Sequence, residues 1–302
     1  MSWLLVTILA YFIFAIVFLV DKHLLAGPIG NPKVYVFYVG ALSALVAILI
    51  PFVGFSILAP SQIVLSLIAG AFFIYGIYWL YKAISLFEVS RITPAVGSFL
   101  SVFTFLLIFI LSQGKDVIGF FEFLSFLLLV SGGFLITYQK DKKISLASLK
   151  MSAISAFFLA LFFVLSKYVY LEMPFWPGFI WIKIGGLLAG LSFLFSKAVR
   201  NELFKVKGAM PKKTAGIFLV NQAAGAGANI LQSWGVALAP LIFVPFINAL
   251  QGVQYAFLLL FTILVSLKAP QLLKEEISRK TIIQKISAIL LIIGGLVVLV
   301  IK

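Results

Sequence analysis

The side chains able to make and break bonds are few and far apart. Among 302 residues there is one histidine, His23, and no cysteine. Disulfides, thiolate metal sites and multi-histidine metal sites are therefore excluded, and neither a metal nor a cofactor is expected. The acidic residues are Asp21, Glu88, Asp116, Glu122, Asp141, Glu172, Glu202, Glu275 and Glu276, of which only the last two are close in sequence. Acid–base catalysis needs groups that converge on a reacting proton. This spacing offers no such set, so no enzyme is expected.

Polar side chains instead recur at intervals of three or four within apolar stretches, which places them on single helical faces. Asn221, Gly225, Asn229 and Gln232 form one such row. Asn248, Gln251 and Tyr255, with Gln254 beside them, form a second. Tyr75, Tyr78 and Lys82 share a face, as do Tyr35 and Tyr38. Polar groups in lipid are costly and turn toward the protein interior or a cavity. The chemistry implied is recognition. Asn229, Gln232, Asn248 and Gln251 would exchange hydrogen bonds with a solute, and Tyr38, Tyr78 and Tyr255 would wall its chamber. Lys183 lies about two turns inside an apolar stretch, where a cation costs about 2.5–3.5 kcal/mol unless solvated or paired. It would meet an anionic group or line a water-filled cavity. Plainer roles compete. Asn and Gln also tie helices together, at about 0.6 kcal/mol on average. Lysine can snorkel to the interface. Trp3, Trp176 and Trp181 suit interfacial anchoring, Glu122 suits an interfacial position, and His23 suits a loop.

The elements that carry these residues are set by composition. The chain is 63% hydrophobic and 11% charged, against about 25% charged in ordinary soluble domains. A bilayer is the solvent that suits it. A helix needs about 20 apolar residues to cross the hydrocarbon core. Ten segments qualify, near 2–20, 34–54, 62–82, 92–111, 118–137, 151–170, 175–196, 214–237, 240–266 and 286–301. Pro, Gly and charged residues punctuate them, as at Gly27–Pro32, Pro51–Pro60, Gln113–Asp116 and Met173-Pro174. The opening run lacks a basic leader and a small-residue cleavage site, so it is the first membrane helix rather than a signal peptide. The small-residue run Ala223–Ala228 in the eighth segment suits a tight helix–helix contact or a cavity wall.

The chain also repeats itself. Ala15–Lys22 parallels Ala160–Lys167, and at the same offset Pro32, Gly40, Leu42 and Ala44 fall on Pro177, Gly185, Leu187 and Ala189. Pro94 falls near Pro245, and Leu128-Leu129 with Gly132-Gly133 matches Leu290-Leu291 with Gly294-Gly295. The units are 1–138 and 151–302, joined by a basic linker at 139–150. Five spans is an odd number, so the second unit enters the membrane upside down. Inverted repeats are a recurrent architecture of secondary transporters, with the solute bound near the midplane. The expected fold is thus an all-α membrane protein of ten helices in a 5+5 inverted repeat, whose halves rock between two openings. Pro94, Pro245, Gly133 and Gly295, with Gly76, are candidate hinge or packing positions.

Ten spans in two fives, the segment Tyr78–Ile84, Gly132-Gly133, Ala249-Leu250-Gln251 and Gly294-Gly295 resemble the EamA family of the drug/metabolite transporter superfamily. The resemblance covers nearly the whole chain and implies export or exchange of small metabolites. The family's Arg near the start of the second span is replaced by Tyr38 and, at the equivalent place in the second half, by Lys183. Its acidic–basic pair after the fourth span is replaced by Gln113–Asp116. The related small multidrug proteins embed a Glu in their first span; here Asp21 falls at the span's end, which argues against that form of proton coupling. The alternatives are a non-transporting membrane scaffold and a membrane enzyme acting on lipid-linked substrates.

Net charge is +14. The basic residues sit between the spans, so they set orientation rather than bind nucleic acid. Nineteen Lys and Arg fall in the alternate loops on one side, against Lys115, Lys167 and Lys302 on the other, with Lys183 inside a span. The charge count puts both termini outside the cell membrane, opposite to what the family resemblance implies. The bilayer and a small-molecule solute are the expected partners, and a homodimer stays open.

Overall fold

The protein is described from a computed structural model at residues 2–26, 31–57, 59–87, 89–115, 118–137, 145–204, 212–268 and 279–301. Helices make up the architecture, and no strand occurs among these residues. They are α1 (Ser2–Ala26), α2 (Pro32–Leu42), α3 (Ile50–Val53), α4 (Pro60–Leu86), α5 (Val89–Leu111), α6 (Phe120–Thr137), α7 (Leu146–Glu172), α8 (Phe175–Ser192), α9 (Lys197–Phe204), α10 (Lys212–Leu238), α11 (Val244–Ala249), α12 (Gln251–Lys268) and α13 (Arg279–Ile301). A 3-10 stretch, Ser43–Leu49, fuses α2 to α3, and another, Leu241–Phe243, leads into α11.

Local chemistry sets the helix ends. The Asn31 side chain accepts the Lys33 amide at 3.0 Å with Pro32 opening α2, and Ser145 accepts the Ser148 amide at 3.1 Å to start α7. At the end of α5, Gln113 (φ 53°) and Gly114 (φ 72°) turn left-handed. Their amides return to the carbonyls of Ile110 and Phe109, a Schellman closure.

Among the described residues, seven helical segments are long and apolar enough to cross a membrane: Ser2–Asp21, Pro32–Val53, Pro60–Leu86, Leu146–Glu172, Phe175–Phe195, Leu241–Leu258 and Ile283–Ile301. Ala95–Leu111 and Phe120–Leu135 are shorter apolar helices. The protein is therefore a helical bundle suited to a membrane. The expected ten spans are not all matched. Segment 214–237 is one continuous helix, α10, but falls outside the seven because Asn221, Gln222, Asn229, Gln232 and Ser233 dilute its apolar character. The small-residue run also departs from expectation. Ala223, Ala224, Ala226 and Gly227 are exposed, while Asn221, Ala228 and Asn229 turn inward.

The two sequence halves are not separate bodies. α1 packs on α10 and α12, and α7 packs on α4 and α5, so each trio draws on both halves. α1 and α10 run antiparallel, with Thr7 against Gly235 and Asp21 against Asn221. α7 and α4 do likewise, with Ser155 against Gly76 and Glu172 against Gln62. α2 pairs with α8 and α6 with α13. The α6–α13 contact is reciprocal. A side-chain carbon on Gly132 would strike Ala288 and Ile292, and one on Gly295 would strike Ser125 and Leu129. Each glycine thus meets the residues three and seven places before the other. Moving one sequence half as a block would separate α1 from α10 and α7 from α4.

Candidate functional site

Side chains from both trios meet in three polar groups. The first is built on Lys183. Gly185 of α8 and Gly70 of α4 let the two helices press together, since a carbon on Gly185 would strike the Leu67 backbone and one on Gly70 the Ile182 and Gly186 backbone. That approach carries Lys183 to Asn229 on α10, and its Nζ donates to Asn229 Oδ1 at 2.6 Å. The ammonium also sits 5.0 Å from the Phe179 ring centre and 5.3 Å from Phe73. Asn229 is buried and Lys183 partly so. No ion pair to Lys183 is found among the described residues. A cation held by one amide oxygen and two ring faces keeps N–H capacity for an incoming acceptor.

The second group lies toward the Ala26 end of α1. Asp21 is buried, and its Oδ1 accepts from Tyr35 Oη and from Asn221 Nδ2, each at 2.7 Å. Asn221 also donates to the Val17 carbonyl at 3.3 Å, and Gln222 donates to Tyr35 Oη at 3.3 Å. The Tyr81 ring packs edge-on to Tyr35 at 4.8 Å. This network joins α1, α2 and α10. Asp21 ends the apolar span, as expected, and α1 continues beyond it to Ala26 with the carboxylate buried. The legible signal was that Asp21, Tyr35, Asn221 and Gln222, on three different helices, are all polar within helical stretches. The side chain of His23 lies outside the described residues.

The third group lies where the helix breaks between α11 and α12. Asn248, fully buried, donates to Thr104 Oγ1 at 2.8 Å, and Thr104 donates to the Leu100 carbonyl at 2.7 Å. Tyr255 donates to the Thr93 carbonyl at 2.7 Å. These bonds fasten α11 and α12 to α5. Beside them is a cavity of about 10 Å³ lined by Gly97, Ser98, Ser101, Gly133, Asn248, Gln251, Gly252 and Tyr255, among others. That is room for roughly one water.

Other predicted residues are placed elsewhere. Gln232 donates to Tyr11 Oη at 3.2 Å, and Tyr11 donates to the Ile247 carbonyl at 2.8 Å, tying α1, α10 and α11 together. Tyr38 stands 6.4 Å from the Phe218 ring, and Tyr78 stands 5.2 Å from Phe193 with the Lys82 ammonium above it. Neither tyrosine lines the cavity. Gly133 approaches Gly252 and Gly295 receives Leu129, both packing contacts. Pro245 opens α11, and Pro94 lies within α5. Lys167, counted on the face opposite most of the basic residues, is buried in α7 and donates to the Ala237 carbonyl at 3.0 Å.

No family model matches the chain, and no curated protein sequence matches it. Solved structures do. One, described only as the crystal structure of a protein, is 15% identical with a TM-score of 0.65 over 97% of each chain. From end to end, then, the chain adopts a fold already seen in a crystal.

Proposed function

We propose that this chain is a secondary transporter or exporter of small metabolites of the EamA-like kind, working by alternating access, and that its solute carries an anionic group received by Lys183. The observation that carries this reading is the Lys183–Asn229 pair, an embedded cation with neutral partners in the seam between interleaved trios. A structural lysine in lipid would gain most from a carboxylate partner. One left with an amide and two rings is poised to exchange them for a solute anion.

The packing supports a 5+5 inverted repeat. Exchanging the first five spans with the second five turns α1–α10–α12 into α7–α4–α5 and leaves the α2–α8, α5–α11 and α6–α13 pairings in place. The reciprocal glycines of α6 and α13 obey the same exchange. Two equivalent trios moving against each other give two openings of similar energy. The small cavity of about 10 Å³ beside Asn248 is lined by neither Lys183 nor Asn229. The charge distribution favours both termini outside a cell membrane.

Proteoliposome flux tests the reading. Anionic metabolites should enter saturably, ahead of neutral and cationic ones of equal size. A second reading, a non-transporting scaffold, draws on the same small cavity; it gains if no solute of the panel moves.

A further inference from the structure

We infer that the cavity between α5, α6 and the α11–α12 break is a binding site for one small monovalent cation of the Na⁺ class. The cavity presents lone pairs. Asn248 Oδ1 and Gln251 Oε1 are buried there without a hydrogen-bond partner. The orientation of the Asn248 amide is fixed by its neighbour. Thr104 has one proton and gives it to Leu100, so toward Asn248 it can only accept. The Asn248 nitrogen must face Thr104, and its oxygen is the atom left over.

Two of the three hydroxyls that line the same space spend their protons elsewhere. Ser101 donates to the Gly97 carbonyl at 3.0 Å, and Tyr255 donates to Thr93. Gln251 Oε1 and Tyr255 Oη converge on Gly97, standing 2.9 and 3.1 Å from where a side-chain carbon would sit. A water has two protons and would satisfy at most two of these acceptors. A cation needs only lone pairs. No carboxylate lines the space, which argues for single charge over double. The site also lies at a break in a spanning helix, where coupling ions bind in transporters.

Equilibrium binding tests this without any flux, so its failure and that of the transport reading are separable. Purified full-length protein is heated in NaCl, KCl or choline chloride at equal ionic strength, and ²²Na⁺ binding is measured by scintillation proximity. Na⁺ should raise the melting temperature saturably above choline, with saturable ²²Na⁺ binding. Gly97→Ala, which fills the space, and Gln251→Leu, which removes one oxygen, should each abolish both signals while remaining monodisperse. Equal melting temperatures in Na⁺ and choline without ²²Na⁺ binding, or binding unchanged in both variants, would overturn the assignment.

Discussion

The Lys183 ammonium and the Asn229 side-chain oxygen are 2.6 Å apart, a charged hydrogen bond between α8 and α10. Its neighbours are two phenyl faces rather than an acid. Lys183→Met keeps the aliphatic stem and removes the charge. The expected result is a loss of anionic flux by at least about tenfold, which corresponds to about 1.4 kcal/mol, with an unchanged gel-filtration profile. Lys183→Arg should retain part of the flux, because it keeps the charge but not the geometry.

Tyr35 and Asn221 both donate to one oxygen of Asp21. Tyr35→Phe removes one donor and strands the Gln222 amide. A loss of about 1–3 kcal/mol in stability is expected for a buried group left unpaired, visible as a lower melting temperature. The network also ties the Ala26 end of α1 to α2 and α10. The same variant should therefore increase solvent labelling of a cysteine placed at Gln222.

The α6–α13 contact allows a controlled pair. Gly295→Val must displace the Leu129 backbone and should cost about 1–3 kcal/mol through overpacking. Gly294→Val meets open space and should be nearly neutral. Thermal unfolding of the two variants side by side checks the reciprocal packing.

Gln113 holds a left-handed backbone at φ 53° in the closure of α5. Glycine removes that steric cost, about 1 kcal/mol. Gln113→Gly should raise the melting temperature without altering solute binding.

Much of this was legible in the sequence because lipid imposes two strong rules. Long apolar runs must be helices, and polar residues within them must turn inward. The row Asn221, Asn229 and Gln232 could therefore be read directly, and each member has an inward partner. The burial of Asp21 could not, because helix ends are set by capping and packing rather than hydropathy. Asp21 ends its apolar segment and is buried because α1 runs on to Ala26, whereas Lys167 lies within the expected span 151–170 and turns inward to the Ala237 carbonyl. Tyr38 and Tyr78 shared the right faces but met Phe218 and Phe193 instead of a chamber, since pattern gives the face and not the neighbour. The interleaving of the halves was equally hidden. An internal repeat reveals duplication, but only packing shows which copy each helix joins.

Alternating access is the central claim, and paired accessibility tests it most directly. Gln222 and Ser233 lie on the Asn229 side of α10, separated by about 16 Å along its axis, with Asn229 between them. The natural chain has no cysteine, so Gln222→Cys and Ser233→Cys can each be made without altering another residue. Each is labelled with a membrane-impermeant maleimide in oriented vesicles, with and without a transported anion. Reactivity should rise at one position and fall at the other when the anion is added. Parallel changes, or none while flux proceeds, would contradict a seam that opens to one side at a time.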